Sequence, residues 1–93
     1  MGVLIRIPGP LRRLTNGKDR VELEAENLRG CLEVLDAQFP GFQERIVNED
    51  EGLREFVNIF LNGEDVRFLQ VLDTPTKSGD EISIVPAVAG GAW

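Results

Sequence analysis

Alternating and helical patterns divide this chain into six elements. Val3, Ile5 and Ile7 recur at every second position, the signature of a half-buried strand. Pro8-Gly9-Pro10 interrupts the run, because proline cannot donate to a central ladder. Asn16-Gly17 accommodates positive φ and marks a tight turn. A second alternation follows, with Val21 and Leu23 set against Arg20, Glu22 and Glu24, so the first two strands read as a hairpin. From Asn27 the period changes. Leu28, Leu32, Leu35 and Phe39 recur at helical spacing, with Cys31 on the same face, Asn27 as N-cap and Pro40-Gly41 as the stop. Gly30 inside this helix implies a close neighbour.

Phe42 to Ile46 adds at most one short turn, and Asn48 to Gly52 forms an acidic connector. Glu55 to Leu61 is the strongest strand, with Val57, Ile59 and Leu61 on one face and Phe56, Asn58 and Phe60 on the other. Asn62-Gly63 turns the chain, and Glu64 to Phe68 reads as a short return strand. Leu69 to Pro75 is irregular, Lys77 to Asp80 is a turn, and Ile82 and Ile84 mark a last strand that Pro86 ends. One main helix must then cover one face of a small mixed sheet, an α+β architecture.

With 93 residues there is room for one core only. The hydrophobic fraction of 42 % and charged fraction of 28 % exclude a disordered or fibrous chain. A net charge of −6 argues against nucleic-acid binding, which needs a basic stripe to displace counterions. There is no histidine and no tyrosine, which removes the commonest general base and metal ligand. A self-sufficient active site would rest on carboxylates and Cys31, a poor inventory for an enzyme. The single cysteine excludes an intramolecular disulfide and reads as a core residue. With neither a secretory segment nor a long apolar run, the expected location is cytoplasmic and off the membrane.

Candidate chemistry gathers at the carboxyl end, where Ile82-Ser83-Ile84-Val85-Pro86 runs into Ala87-Val88-Ala89-Gly90-Gly91-Ala92-Trp93. Glycines without Cβ leave a thin backbone that can thread a narrow channel, and a carboxylate on a long arm is a handle for another protein. A frayed terminus is the plainer reading. Residues 1–86 are expected to form the domain and 87–93 a flexible tail. Phe56 and Phe60 are either exposed for docking or covered by the Leu69–Thr74 segment, and Arg67 is either a salt-bridging surface residue or a partner contact. Glu49, Asp50 and Glu51 read as a solvated loop, with steering toward a basic partner as the alternative, and Arg12 and Arg13 as surface charge, with a phosphate contact as the alternative.

The run from Phe56 to Leu69, the segment Leu72-Asp73-Thr74-Pro75 and the stretch from Gly79 to Gly91 carry a resemblance. Ile7-Pro8 and Leu14-Thr15-Asn16-Gly17 fit it too. Together they resemble the ThiS/MoaD family of ubiquitin-like, β-grasp sulfur carriers over essentially the whole chain, closest to those of a cysteine-forming pathway. The resemblance implies a protein co-substrate, not a catalyst, with no cofactor of its own. An E1-like enzyme would use ATP to adenylate the carboxylate of Gly91, behind Gly90, for conversion to a thiocarboxylate. A PLP-dependent synthase would accept the sulfur, and a JAMM-type zinc metalloprotease would free the product. Ala92-Trp93 departs from the family's ending, since a peptide-bonded Gly91 has no free carboxylate to adenylate. Removal of both residues by such a protease is therefore expected. Other routes remain open within the resemblance: sulfur for a secondary metabolite, methionine, molybdopterin or thiamin, or attachment to proteins through Gly91.

Overall fold

The computed structural model describes residues 2–50, 52–55 and 57–86. Its strands are β1 (Val3–Arg6), β2 (Arg20–Leu23), β3 (Val57–Leu61), β4 (Glu64–Asp65) and β5 (Glu81–Pro86). They form one sheet in the order β2-β1-β5-β3-β4. β1 and β5 run parallel at its centre, and every other neighbouring pair is antiparallel. This is the expected β-grasp arrangement, with α1 (Leu28–Gln38) and the short α2 (Phe42–Ile46) supplying the helical side of the core.

The alternation sets which face is buried. Val3, Ile5, Val21, Leu23, Val57, Ile59, Ile82 and Ile84 all enter the core. They meet Leu28, Cys31, Leu32 and Leu35 from α1, and Phe42 and Ile46 from α2. Each fully buried aliphatic side chain contributes roughly 1.5–3 kcal/mol relative to exposure. The opposite face carries Leu4, Arg6, Asn58, Phe60, Ser83 and Val85, all at least partly accessible.

Local signals act as expected at α1. The Asn27 side chain accepts from the Gly30 amide at 2.8 Å, satisfying one of the donors orphaned at a helix start. A Cβ on Gly30 would sit 3.2 Å from the Ala25 side chain, which accounts for glycine inside the helix. Phe39 caps the helix, and Asp36 Oδ1 accepts from the Gly41 and Gln43 amides, turning the chain into α2.

Three stretches differ from the sequence reading. Strands β1 and β2 do pair, but a seven-residue 3-10 helix, Gly9–Thr15, precedes the Asn16-Gly17 turn between them. Leu11 and Thr15 bury completely, and the Thr15 hydroxyl lies 3.2 Å from Arg12 O and 2.9 Å from Lys18 O. The return strand expected over Glu64 to Phe68 stops after Asp65. The Asp65 carboxylate accepts from the Arg67 amide at 2.9 Å and starts a 3-10 turn, Val66–Phe68. In the stretch read as irregular, Val71–Asp73 forms another 3-10 turn. Val71 has a φ of 51°, unusual for a β-branched residue. Thr74 holds it there, its hydroxyl donating to Val71 O at 2.7 Å and accepting from the Gln70 amide at 3.1 Å.

Candidate functional site

The site is built from the strand that launches the tail. β5 is a central strand, with Leu4, Ile5 and Arg6 of β1 against Glu81, Ile82 and Ser83 on one side. On its other side all five residues of β3 pair, from Leu61 opposite Ile82 to Val57 opposite Pro86. The chain thus stays in the ladder as far as Pro86, the last described residue, past the end of β1 and opposite the first residue of β3. Gly90, Gly91, Ala92 and Trp93 lie outside the described residues, as do Glu51 and Phe56.

The other end of β5 is locked. Asn62 and Gly63 both take positive φ, 51° and 89°, as the turn requires. The Asn62 side chain accepts from the Glu81 amide at 2.9 Å and donates to Asp80 Oδ1 at 3.0 Å. The buried Asp80 also accepts from the Lys77 amide at 2.9 Å, so its carboxylate closes the turn and ties it to the sheet.

On the open face near the tail root, Phe60 stands across from Ser83 and Asn58 across from Val85. Phe60 and Val85 are therefore diagonal neighbours, within reach of one another across a pleated face. Phe60 is half-buried and Val85 is 43 % exposed. Arg67 is engaged within the protein. Its guanidinium donates to Asn58 Oδ1 and to the Arg54 carbonyl, each at 2.8 Å, and it forms no ion pair among the described residues. This brace fixes the approach to β3 beside the end of β5.

Phe68, unremarked in the sequence, is 86 % exposed. Its exposure follows from the early end of β4, for which Asp65 was the available signal: a side chain able to accept from a backbone amide two residues on. Cys31 is buried, and loss of solvation pushes its thiol up from the ordinary value, opposed by the Thr76 hydroxyl 3.9 Å away. A raised pKa and burial make it an inert core residue. Glu49 and Asp50 are exposed, as are Arg12 and Arg13. Asn48 Oδ1 accepts from the Asp50 and Gly52 amides, so the acidic connector is shaped by its own backbone. Among the described residues no group of three acidic or cysteine side chains could hold a metal, and no helix is long and apolar enough to cross a membrane.

Comparison with known proteins follows the same lines. The ThiS family matches residues 5–91. The chain is 40 % identical over 93 residues to the sulfur carrier protein CysO of Mycobacterium tuberculosis, covering 98 % of this chain and all of that one. Its fold superimposes on a chain of the Amycolatopsis orientalis BexX/CysO complex with a TM-score of 0.92 at 37 % identity, covering 96 % and 99 % of the two chains. Small archaeal modifier protein 1 from Methanosarcina acetivorans is also similar, with a TM-score of 0.81 at 29 % identity and coverage of 95 % and 94 %.

Proposed function

Since this chain belongs to the ThiS family, we propose that it is a sulfur carrier whose working group is the carboxylate of Gly91. The observation that carries this reading is where the family match stops. It ends at residue 91, leaving Ala92 and Trp93 as an extension beyond the second glycine. Hydrolysis of the Gly91–Ala92 bond, assigned to a JAMM-type zinc metalloprotease, would expose the carboxylate. That oxygen would attack the α-phosphorus of ATP within an E1-like adenylating enzyme, with pyrophosphate leaving. A sulfur nucleophile would then displace AMP from the acyl carbon and leave a thiocarboxylate.

Activation is needed because a carboxylate is a poor electrophile until its oxygen becomes a good leaving group. The thiocarboxylate sulfur is in turn a strong nucleophile. We assign it to the aminoacrylate held by a PLP-dependent synthase, in a cysteine-forming route, after the similarity to CysO. Phe60 and Val85 supply the apolar part of the docking face, to which we assign Phe56 from the sequence alternation alone. Arg67 shapes that face through Asn58. The domain itself performs no chemistry; ATP, PLP and zinc belong to the partners.

Intact mass of the untagged protein from its own cells tests the reading. A species ending at Gly91, part of it heavier by the replacement of oxygen with sulfur, is the expected result. A chain that still ends in Trp93 while the pathway is in demand would refute it. The similarity to a small archaeal modifier supports a second reading, attachment to other proteins through Gly91. It predicts covalent adducts that vanish when Gly91 is deleted.

A further inference from the structure

The charges of this chain are sorted along its length. Five of the ten Lys and Arg, but only one of the sixteen Asp and Glu, fall in the first twenty residues, so that stretch carries +4 and the remainder −10. The topology gathers these cations at one end of the sheet. Arg6 ends β1 opposite Ser83 of the parallel β5, and Arg20 opens β2 opposite Arg6. The Gly9–Thr15 helix and its turn close the same end, carrying Arg12, Arg13 and Lys18. All five cations are exposed. This is also the end from which the tail departs.

Little of that charge is neutralised. Arg6 pairs with Glu81 at 2.7 Å, and Arg20 lies 3.6 Å from Asp19. Arg12 Nε donates to the Ile7 carbonyl at 3.1 Å, which anchors the side chain without cancelling its charge. The Arg13 and Lys18 side chains make no hydrogen bond or ion pair with another described residue. Arg6 and Arg20 are direct cross-strand neighbours, a like-charge pairing that weakens a sheet. Folding does not reward this arrangement.

We propose that this basic end docks on an acidic rim around the entrance to the enzyme that acts on the Gly91 carboxylate. The inference rests on the sulfur-carrier reading. Only four residues separate Pro86 from Gly91, a reach of at most about 18 Å over the five Cα-to-Cα steps when fully extended. A centre that takes Gly91 therefore has its entrance near the end of β5 and the cations around it. An acidic rim would attract this end and repel the −10 remainder, selecting encounters in which the tail arrives first. A long polyanion fits less well, because the cations cover one end and the body would repel its continuation.

The test is ATP–pyrophosphate exchange by the cognate E1-like enzyme, with the chain ending at Gly91 as substrate at increasing NaCl. The charge reversals are Arg13→Glu with Lys18→Glu, since neither side chain makes a contact that folding needs. Arg45→Glu, exposed on α2, is a control that lowers the net charge elsewhere. The double variant is expected to lose roughly tenfold in kcat/KM at low salt, with kcat retained and the salt dependence flattened or inverted. The Arg45→Glu chain should stay close to wild type. Equal losses in both variants, or an unchanged double variant, would overturn the docking inference while exchange by the wild type upheld the carrier reading. So would unchanged exchange with loss of retention on a single-stranded oligonucleotide column, which would assign the patch to nucleic acid. Absence of exchange with the wild-type chain would sink both.

Discussion

Replacing Arg67 separates a structural brace from a docking contact. Its guanidinium makes two hydrogen bonds of 2.8 Å, to Asn58 Oδ1 and to the Arg54 carbonyl, in a part-buried setting. Hydrogen bonds to charged groups contribute about 1.5–3 kcal/mol each when water is kept away. Halving the low end for solvent access leaves about 1.5 kcal/mol for the pair, and the aliphatic stem adds roughly 0.5 kcal/mol. Arg67→Ala should therefore destabilise the domain by about 2 kcal/mol, which for a chain of this size lowers Tm by roughly 8–16 °C. Arg67→Lys keeps the stem but not the planar fork, and should lose about half as much. Urea unfolding followed by far-UV circular dichroism measures both. Under conditions where each variant is fully folded, affinity for the adenylating enzyme should change little. A loss of stability below about 0.5 kcal/mol, coupled to a tenfold loss of affinity, would show that Arg67 meets the partner and that the brace reasoning is wrong.

Three further outcomes follow from the core and its caps. Phe42 is wholly buried, so Phe42→Ala should remove about 3–5 kcal/mol, enough to leave a small domain near its unfolding threshold in the same urea titration. Asn27→Ala should lose about 1 kcal/mol by freeing the Gly30 amide, whereas Asn27→Asp, which can still accept that bond, should lose much less. Burial pushes the Cys31 thiol up, so the native state holds its proton at pH values where the unfolded chain has released it. The resulting stability is complete below the ordinary thiol range and declines as pH rises through and above it. Cys31→Ala should flatten that alkaline decline in a series of urea midpoints, and a decline of unchanged slope would refute the assignment.

Sequence pattern was informative wherever one local rule acted alone. Period-two alternation identified the buried faces of β1, β2, β3 and β5, because each strand lies on the core with one side only. Both Asn-Gly turns and the Asn27 cap followed from backbone chemistry. The 3-10 segments were not legible, since one is wound by burial in the core and the other two by side-chain bonds to the backbone that compete with a strand or loop reading. Leu11 and Thr15 are drawn into the core, which winds the connection between β1 and β2. Val71 adopts its left-handed conformation because Thr74 grips it from both sides, an arrangement that no preference of valine announces. The exposed Phe68 was hidden for a related reason. A hydrophobic residue after a turn continues an alternation on paper, but Asp65 had already ended the strand.

The position of β5 bears directly on how a tail of this kind is presented. A tail leaving an edge strand would share that strand's tendency to fray, and its root would be ill-defined. Here the root strand is central: β1 pairs with it over Glu81–Ser83, and β3 accompanies it on the other side from Ile82 to Pro86. Proline removes one ladder donor at Pro86, the last described residue of this strand. The neighbours of this root differ in character. On one side are the cations of β1, β2 and their 3-10 connection; on the other is β3, braced by Arg67. Apolar Phe60 and Val85 lie on the open face between them. Charge draws a partner from a distance without fixing its pose, whereas apolar contact fixes the pose at short range. A root fixed at the centre of the sheet lets both act on the same few ångströms of departing chain, so the body can position a carboxylate for another protein without a catalytic group of its own.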